Sequence, residues 1–203
     1  MLKELVRKNR TYRRFYEEVK VETETLTELV DLARTVPSTA NSQALKFMLC
    51  NEESMNEKVF PCLIWAGALT DWDGPTEGER PAAYIIVLCD QTLGKNKQID
   101  DGIVSQTIML GATEKGLGGC IFGSVRREEL AKALGIDTTR YTIDLVLALG
   151  KPKEEVKIVP VKEDGNTKYY RDENQIHYVP KRSLEDLIVP LKKEEKDVKG
   201  QAD

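Results

Sequence analysis

Asn9-Arg10-Thr11-Tyr12-Arg13-Arg14-Phe15 is the stretch that decides how the rest of the chain is read. It follows a run, Met1 to Lys8, that reads as a short helix. It places guanidinium groups (Arg10, Arg13, Arg14) and a hydroxyl (Thr11) on one short segment. A guanidinium fork matches phosphate oxygens two at a time, and a hydroxyl adds a further bond. The same residues also fit a plain solvated basic face, and the segment alone leaves both readings open.

Outward from this segment, Arg7, Lys8, Arg10, Arg13 and Arg14 fall within eight residues with no acid among them. A second basic pair, Lys181-Arg182, lies near the C-terminus. The chain as a whole is mildly acidic, with 30 basic and 34 acidic side chains and a formal charge of −4. Two basic spots on an acidic surface suit a small anion better than a long one, so nucleic acid is not the expected partner.

The 203 residues, 40% hydrophobic and 32% charged, have the composition of a globular protein. Residues 1–190 are expected to form a single domain, and 191–203 a charged, disordered tail. The longest apolar runs, such as Ala82–Cys89 and Leu145–Leu149, fall far short of the roughly 20 residues a spanning helix needs. The first residues carry no apolar signal-peptide core. Cys50, Cys62, Cys89 and Cys120, spaced 12, 27 and 31 apart, fit neither a zinc signature nor a redox pair. The expectation is a cytoplasmic chain with reduced thiols, no membrane span and no metal. His177 is the single histidine and is read as a local hydrogen-bonder.

Along the chain, Thr25-Leu-Thr-Glu28 reads as a capping box opening a helix with Leu26, Leu29, Val30, Ala33 and Val36 on one face, ended by Pro37. Ser38 to Gln43 is a polar loop, and Leu45–Cys50 a strand. Val59–Leu69 fits helix or strand, and Asp71–Pro81 is turn-rich. Ala82–Asp90 is a strand buried on both faces. Gln98–Lys115 is a helix whose small residues Gly102, Ser105, Gly111 and Ala112 allow close approach of a backbone or a flat ligand. Gly116–Gly119 ends it. Cys120–Val125 is extended, Arg126–Leu134 a helix closed by Gly135, and Tyr141–Leu149 a strand stopped at Gly150-Lys-Pro152. Residues 153–175 are polar, with a turn at Asp164-Gly165-Asn166, and Ser183-Leu-Glu-Asp186 caps a last helix or turn. About four strands interleaved with helices give an α+β or α/β class.

Five motifs in order resemble the nitroreductase family of flavin enzymes. Arg10, Thr11, Arg13 and Phe15 match its opening Arg-Ser-x-Arg-x-Phe pattern, and Pro37, Ser38, Asn41 and Gln43 match its Ala-Pro-Ser-x-x-Asn-x-Gln pattern. Gly116-Leu-Gly118 with Cys120–Gly123 resembles its Gly-Leu-Gly segment, Asp144–Pro152 its terminal strand, and Val179–Glu185 its C-terminal basic motif. Glu79-Arg80-Pro81 resembles a feature of the shorter members. The chain departs from the pattern at Asn9, often arginine, at Thr11, often serine, and at Ala44, often proline.

The resemblance implies an α+β fold: a central, mostly antiparallel sheet of about four to five strands flanked by helices, in an intertwined homodimer with FMN at the interface. It implies that Arg10, Thr11 and Arg13 hold the cofactor from one subunit. Pro37, Ser38, Thr39, Asn41 and Gln43 approach it from the other. Phe122 and Gly123 lie near its reactive edge, and Lys181 and Arg182 add charge at the phosphate. The flavin carries the chemistry, so no catalytic side chain is expected. Residues 65–81 are expected to cover the site, with Trp72, Glu79 and Arg80 toward substrate. The expected activity is transfer of hydride from NAD(P)H to a small organic acceptor, nitroaromatic- or quinone-like, by a ping-pong mechanism. Alternatives are a flavin-binding sensor or storage protein without turnover, a reductive dehalogenase, or a flavin-cleaving enzyme of the same fold.

Overall fold

The computed structural model describes residues 1–67, 69, 72–94 and 98–191. The expected tail, from residue 192 on, and residues 68, 70 and 71 of the expected cover lie outside them. The elements run α1 (Leu2–Lys8), β1 (Phe15–Tyr16), α2 (Thr23–Ala33), β2 (Leu45–Cys50), α3 (Glu53–Val59), β3 (Ala83–Asp90), α4 (Gln98–Glu114), β4 (Gly118–Phe122), α5 (Arg127–Leu134) and β5 (Tyr141–Pro152). Then come β6 (Val156–Pro160), β7 (Tyr170–Arg171), β8 (His177–Lys181) and α6 (Leu184–Leu187).

β3 is buried along its whole length and forms the middle of the large sheet. It pairs antiparallel with β2 on one side and β5 on the other. On its far edge β5 pairs antiparallel with β4 and, further along, with β1. The side-chain period of two sends alternate residues of β3 to opposite faces. Ala83, Ile85 and Val87 pack with Leu26, Leu29 and Ala33 of α2 and Val104, Ile108 and Ala112 of α4. Tyr84, Ile86 and Leu88 pack on the other side with Val59 of α3 and Leu130 and Ala131 of α5. Each fully buried Leu or Ile contributes about 1.5–3 kcal/mol relative to exposure, so these two layers are what hold the helices to the sheet. The expected mostly antiparallel sheet of four to five strands flanked by helices is therefore present.

Four local expectations are corrected. α2 starts at Thr23, with Glu22 as its N-cap and no side-chain cap, so Thr25 lies inside the helix rather than at its start. Gly116 closes α4, with the Leu117 N–H donating to the Ala112 carbonyl at 2.9 Å, but Gly118 and Gly119 belong to β4. A Cβ on Gly118 would strike Tyr12 and Pro152, so that glycine admits the N-terminal arm, and one on Gly119 would strike the Ala148 carbonyl and Met109, so that glycine serves the approach of β4 to β5 and α4. β5 does not stop at Leu149. Gly150, Lys151 and Pro152 continue it, paired with Gly118, Tyr16 and Phe15. The polar region after residue 153 forms a second sheet in the order β6-β8-β7, with β6 and β8 parallel. Within α4, a Cβ on Gly111 would meet Leu32 at 2.7 Å and Leu29 at 2.9 Å, so that small residue serves helix packing.

Candidate functional site

The opening motif is fixed to the core at three points. Asn9 ends α1, and its amide Nδ2 donates to the Met109 carbonyl at 3.1 Å and to Thr113 Oγ1 at 3.0 Å, both on α4. The Tyr12 N–H donates to the Gly119 carbonyl at 2.9 Å, and Thr11 bridges to Gly119 in a parallel sense. Phe15 is fully buried. Between these anchors the arginines are treated differently. Arg14 makes a two-pronged contact with Glu79, at 2.5 and 2.6 Å, and Lys153 reaches the same carboxylate at 3.1 Å. The bonds from Arg14, with help from Lys153, hold the Glu79 carboxyl down to about 2. The Arg13 backbone N–H donates to Glu154, and its guanidinium lies 4.7 Å from the centre of the Tyr169 ring. Arg10 donates from Nη2 to the Val6 carbonyl at 2.9 Å, while its buried Nε has no partner among the described residues. Thr11 is exposed.

The Pro37–Gln43 loop carries backbone strain. Ala40, Asn41 and Gln43 all have positive φ (52°, 50° and 48°), a region that costs non-glycine residues energy and concentrates at functional sites. The loop is pinned by Thr39, whose N–H and hydroxyl both donate to Asp100 Oδ1, at 2.9 and 2.7 Å. Gln43 donates from Nε2 to Asn41 Oδ1 at 3.3 Å, and the buried Ser42 Oγ has no partner among the described residues. Next to Asp100 the Asp101 carboxyl is pushed up to about 7, by burial first and then by the charges of Asp144 and Asp100. Asp100 and Met109 lie nine residues apart on α4, about 13 Å at 1.5 Å per residue. The loop and the opening motif thus dock on one helix. No hydrogen bond or ion pair joins them within the chain among the described residues.

Phe122 ends β4 inside the core, its ring edge-on to Trp65 at 4.6 Å. Gly123 follows, exposed, with Leu145 Cδ2 at 3.9 Å as the nearest atom a Cβ would meet. Burial pushes the Cys120 thiol up to about 11, which fits packing and not nucleophilic duty. Trp72 packs edge-on against Trp65 at 6.1 Å, and one of its faces is already taken by the Arg171 guanidinium at 4.3 Å. Arg171 in turn donates to Glu154 Oε2 at 3.0 Å. Arg171 and Glu154 were missed by the sequence reading, because nothing local distinguishes them in a polar run. His177 is buried beside Tyr169, with ring centroids 5.2 Å apart, and neither ring nitrogen has a partner among the described residues. Burial, then the charges of Arg13 and Arg171, push it down to about 4, so the expected hydrogen-bonding role is not what this ring performs. Lys181 ends β8, four residues on from His177, and neither Lys181 nor Arg182 forms an ion pair among the described residues. Arg80 stacks on Phe60 at 4.5 Å.

No helix among the described residues is long and apolar enough to cross a membrane, and no group of three acidic, histidine or cysteine side chains is placed to hold a metal. The family model described as "Nitroreductase family" matches residues 6–151. The Bacillus subtilis (strain 168) protein YdgI, provisionally named an NAD(P)H nitroreductase, is 24% identical over 193 residues, covering 75% of this chain and 88% of its own. A nitroreductase family protein of Streptococcus pneumoniae TIGR4 superposes with a TM-score of 0.64 at 17% identity, over 77% of this chain and 93% of its own. An FMN-dependent nitroreductase of Clostridium difficile R20291 gives 0.61 at 19% identity, over 74% and 87%.

Proposed function

The chain belongs to the nitroreductase family, and from that premise we propose that it is an FMN-dependent oxidoreductase. In this reading it takes hydride from NAD(P)H and reduces a small organic acceptor, nitroaromatic- or quinone-like. Residues 1–190 act as one FMN-binding unit, and two copies assemble with the cofactor between them.

The observation that carries the reading is the unpaired Arg10. It is a half-buried guanidinium whose Nη2 donates to the Val6 carbonyl but whose Nε meets no acceptor and which pairs with no acid among the described residues, beside the exposed hydroxyl of Thr11, in the segment that matches the family motif. The residues present fit FMN. A phosphomonoester carries about −1.5 to −2 charge near neutral pH and needs donors, and Arg10, Thr11, Lys181 and Arg182 are donors with no acid partner among the described residues. Gly123 leaves open room in front of its backbone, which a flat ring needs for close approach.

When bound, FMN would supply the redox chemistry that couples NAD(P)H oxidation to reduction of the acceptor. The chain supplies the rest. Arg10 and Thr11, with Lys181 and Arg182, bind the phosphate. Arg13, already oriented on Tyr169, places positive charge where the reduced cofactor gathers negative charge. From a second copy, Pro37, Ser38, Thr39, Asn41 and Gln43 offer backbone and amide groups, and their strained conformation is held by the Thr39–Asp100 bonds. Phe122, locked against Trp65, fixes the position of Gly123. Trp72, Glu79 and Arg80 are the substrate-side candidates. Glu79 and one face of Trp72 are already engaged, which leaves the second face of Trp72 for an aromatic acceptor.

The direct test is optical. The purified protein is expected to be yellow, to bleach on anaerobic addition of NAD(P)H without an acceptor, and to elute as a dimer. A single face shared by donor and acceptor predicts ping-pong kinetics. A colourless monomer that takes up no FMN overturns the proposal.

A further inference from the structure

The family match ends at residue 151, yet the chain beyond it returns to the opening motif at Arg13. Glu154 accepts from the Arg13 backbone N–H. Tyr169, a half-buried residue just before β7, lies under the Arg13 guanidinium, 4.7 Å from ring centre to carbon. A guanidinium within about 6 Å of a ring centre is attracted by the electron-rich face of the ring. One contact thus holds the backbone of Arg13 and the other its head group.

These contacts leave the donors of Arg13 free. A guanidinium carries its N–H groups in its own plane, so a ring held against its face occupies none of them. Among the described residues the Arg13 side chain makes no hydrogen bond and no ion pair. The acid at its backbone is already engaged: the Glu154 carboxylate is fully buried and pairs with Arg171 at 3.0 Å. Tyr169 in turn has a fixed neighbour in His177, 5.2 Å away between ring centroids and 1% exposed. The His177 N–H donates to the Glu155 carbonyl at 2.9 Å, and the residue is paired with Arg171 across β7 and β8. Burial, then the charges of Arg13 and Arg171, keep the imidazole neutral above about pH 4, so it adds no charge of its own beside Arg13.

We propose, on the flavin reading given above, that Tyr169 is a positioning residue: it holds the Arg13 guanidinium by one face, keeps its N–H donors free for FMN, and so raises the reduction potential of the cofactor. The reduced cofactor carries more negative charge than the oxidised one, and a cation fixed in advance favours the form with more charge. An acid could not do the same work. Glu79 fixes the Arg14 head group by occupying its donors and matching its charge, whereas an aromatic face fixes a cation and leaves both available.

The experiment is anaerobic equilibration of the FMN-loaded full chain with a redox dye, alongside titration of oxidised FMN. Tyr169→Leu is expected to shift the equilibrium about tenfold toward oxidised FMN, about 30 mV for a two-electron couple, while the affinity for oxidised FMN falls less than about threefold. Tyr169→Phe keeps the ring and is expected to stay within about twofold of the parent. Tyr169→Gln, suited to a half-buried loop position, takes the place of the leucine variant should that fail to fold. In an Arg13→Lys background, where the planar head group is gone, replacing Tyr169 is expected to shift the equilibrium less than about twofold. An unchanged potential in a folded ring-less variant overturns the proposal, as does equal weakening of both redox forms or a phenylalanine variant that behaves like the leucine one. A parent chain that takes up no FMN overturns the flavin reading itself, and this role of Tyr169 with it.

Discussion

Arg14 and Arg10 lie four residues apart in one basic motif, yet the structure puts them to opposite uses. Around Arg14 the charges are closed: its fork is matched by Glu79, which is capped in turn by Lys153. Around Arg10 they are open: among the described residues it bonds the Val6 carbonyl but meets no acid, its Nε has no partner, and Lys181 and Arg182 form no ion pair. A run of basic residues is therefore not one feature. Arg14, whose charge is neutralised inside the chain, holds the fold, and Arg10 is the one the proposed function assigns to an anion.

The contrast is broken most severely if Arg10→Ala leaves cofactor binding intact. The expected loss is about 100-fold in FMN affinity, roughly 3 kcal/mol for two charge-assisted bonds, with the melting temperature within about 2 °C of the parent. Fluorescence titration and thermal melts check both. Arg14→Ala is expected to do the reverse. It leaves the largely buried Glu79 with Lys153 alone and costs about 2 kcal/mol, a fall of roughly 5 °C in Tm, with FMN affinity changed less than about threefold.

A pH series sharpens the comparison. Glu79 has its folded pKa lowered to about 2, so its contribution is present above the unfolded value near 4.5 and is lost as pH falls toward 2. Arg14→Ala should flatten that acid limb. His177, also lowered, to about 4, acts in an earlier window. The unfolded chain takes up a proton near 6.5 that the buried ring refuses, so stability falls from pH 6.5 to 4 by on the order of 2 kcal/mol. Asp101 runs the other way. Its carboxyl is raised to about 7, so stability falls as pH climbs from 4 to 7. Urea melts of the parent and of His177→Phe across this range should differ by the histidine slope alone. The smallest effect is expected from Gly123→Ala. With the nearest atom at 3.9 Å, Tm should stay within about 1 °C, while FMN affinity falls about threefold.

What the sequence made legible follows the same physics. The eight consecutive apolar or small residues from Ala82 to Cys89 could only be a strand covered on both faces, and that strand is the centre of the large sheet. The Ser183–Asp186 capping box was likewise readable, because each end satisfies the other locally. The second sheet was not: Val156–Pro160 and Tyr170–Arg171 are short and largely exposed, without the alternation that marks a half-buried strand. The Arg14–Glu79 and Arg171–Glu154 pairs join residues 65 and 17 apart, and no local pattern encodes which acid a base will meet. The motifs named the candidate residues, but which of their arginines are paired inside the chain needed the fold.

The parallel bridge between Thr11 and Gly119 has a consequence for solubility. β4 is an outer strand, and its Gly-Gly-Cys-Ile-Phe backbone would otherwise offer bare N–H and C=O groups on an apolar rim. The N-terminal arm lies across that rim as a sheath. Trimming the chain back past Phe15 would strip the sheath away and leave a surface primed for strand-to-strand aggregation.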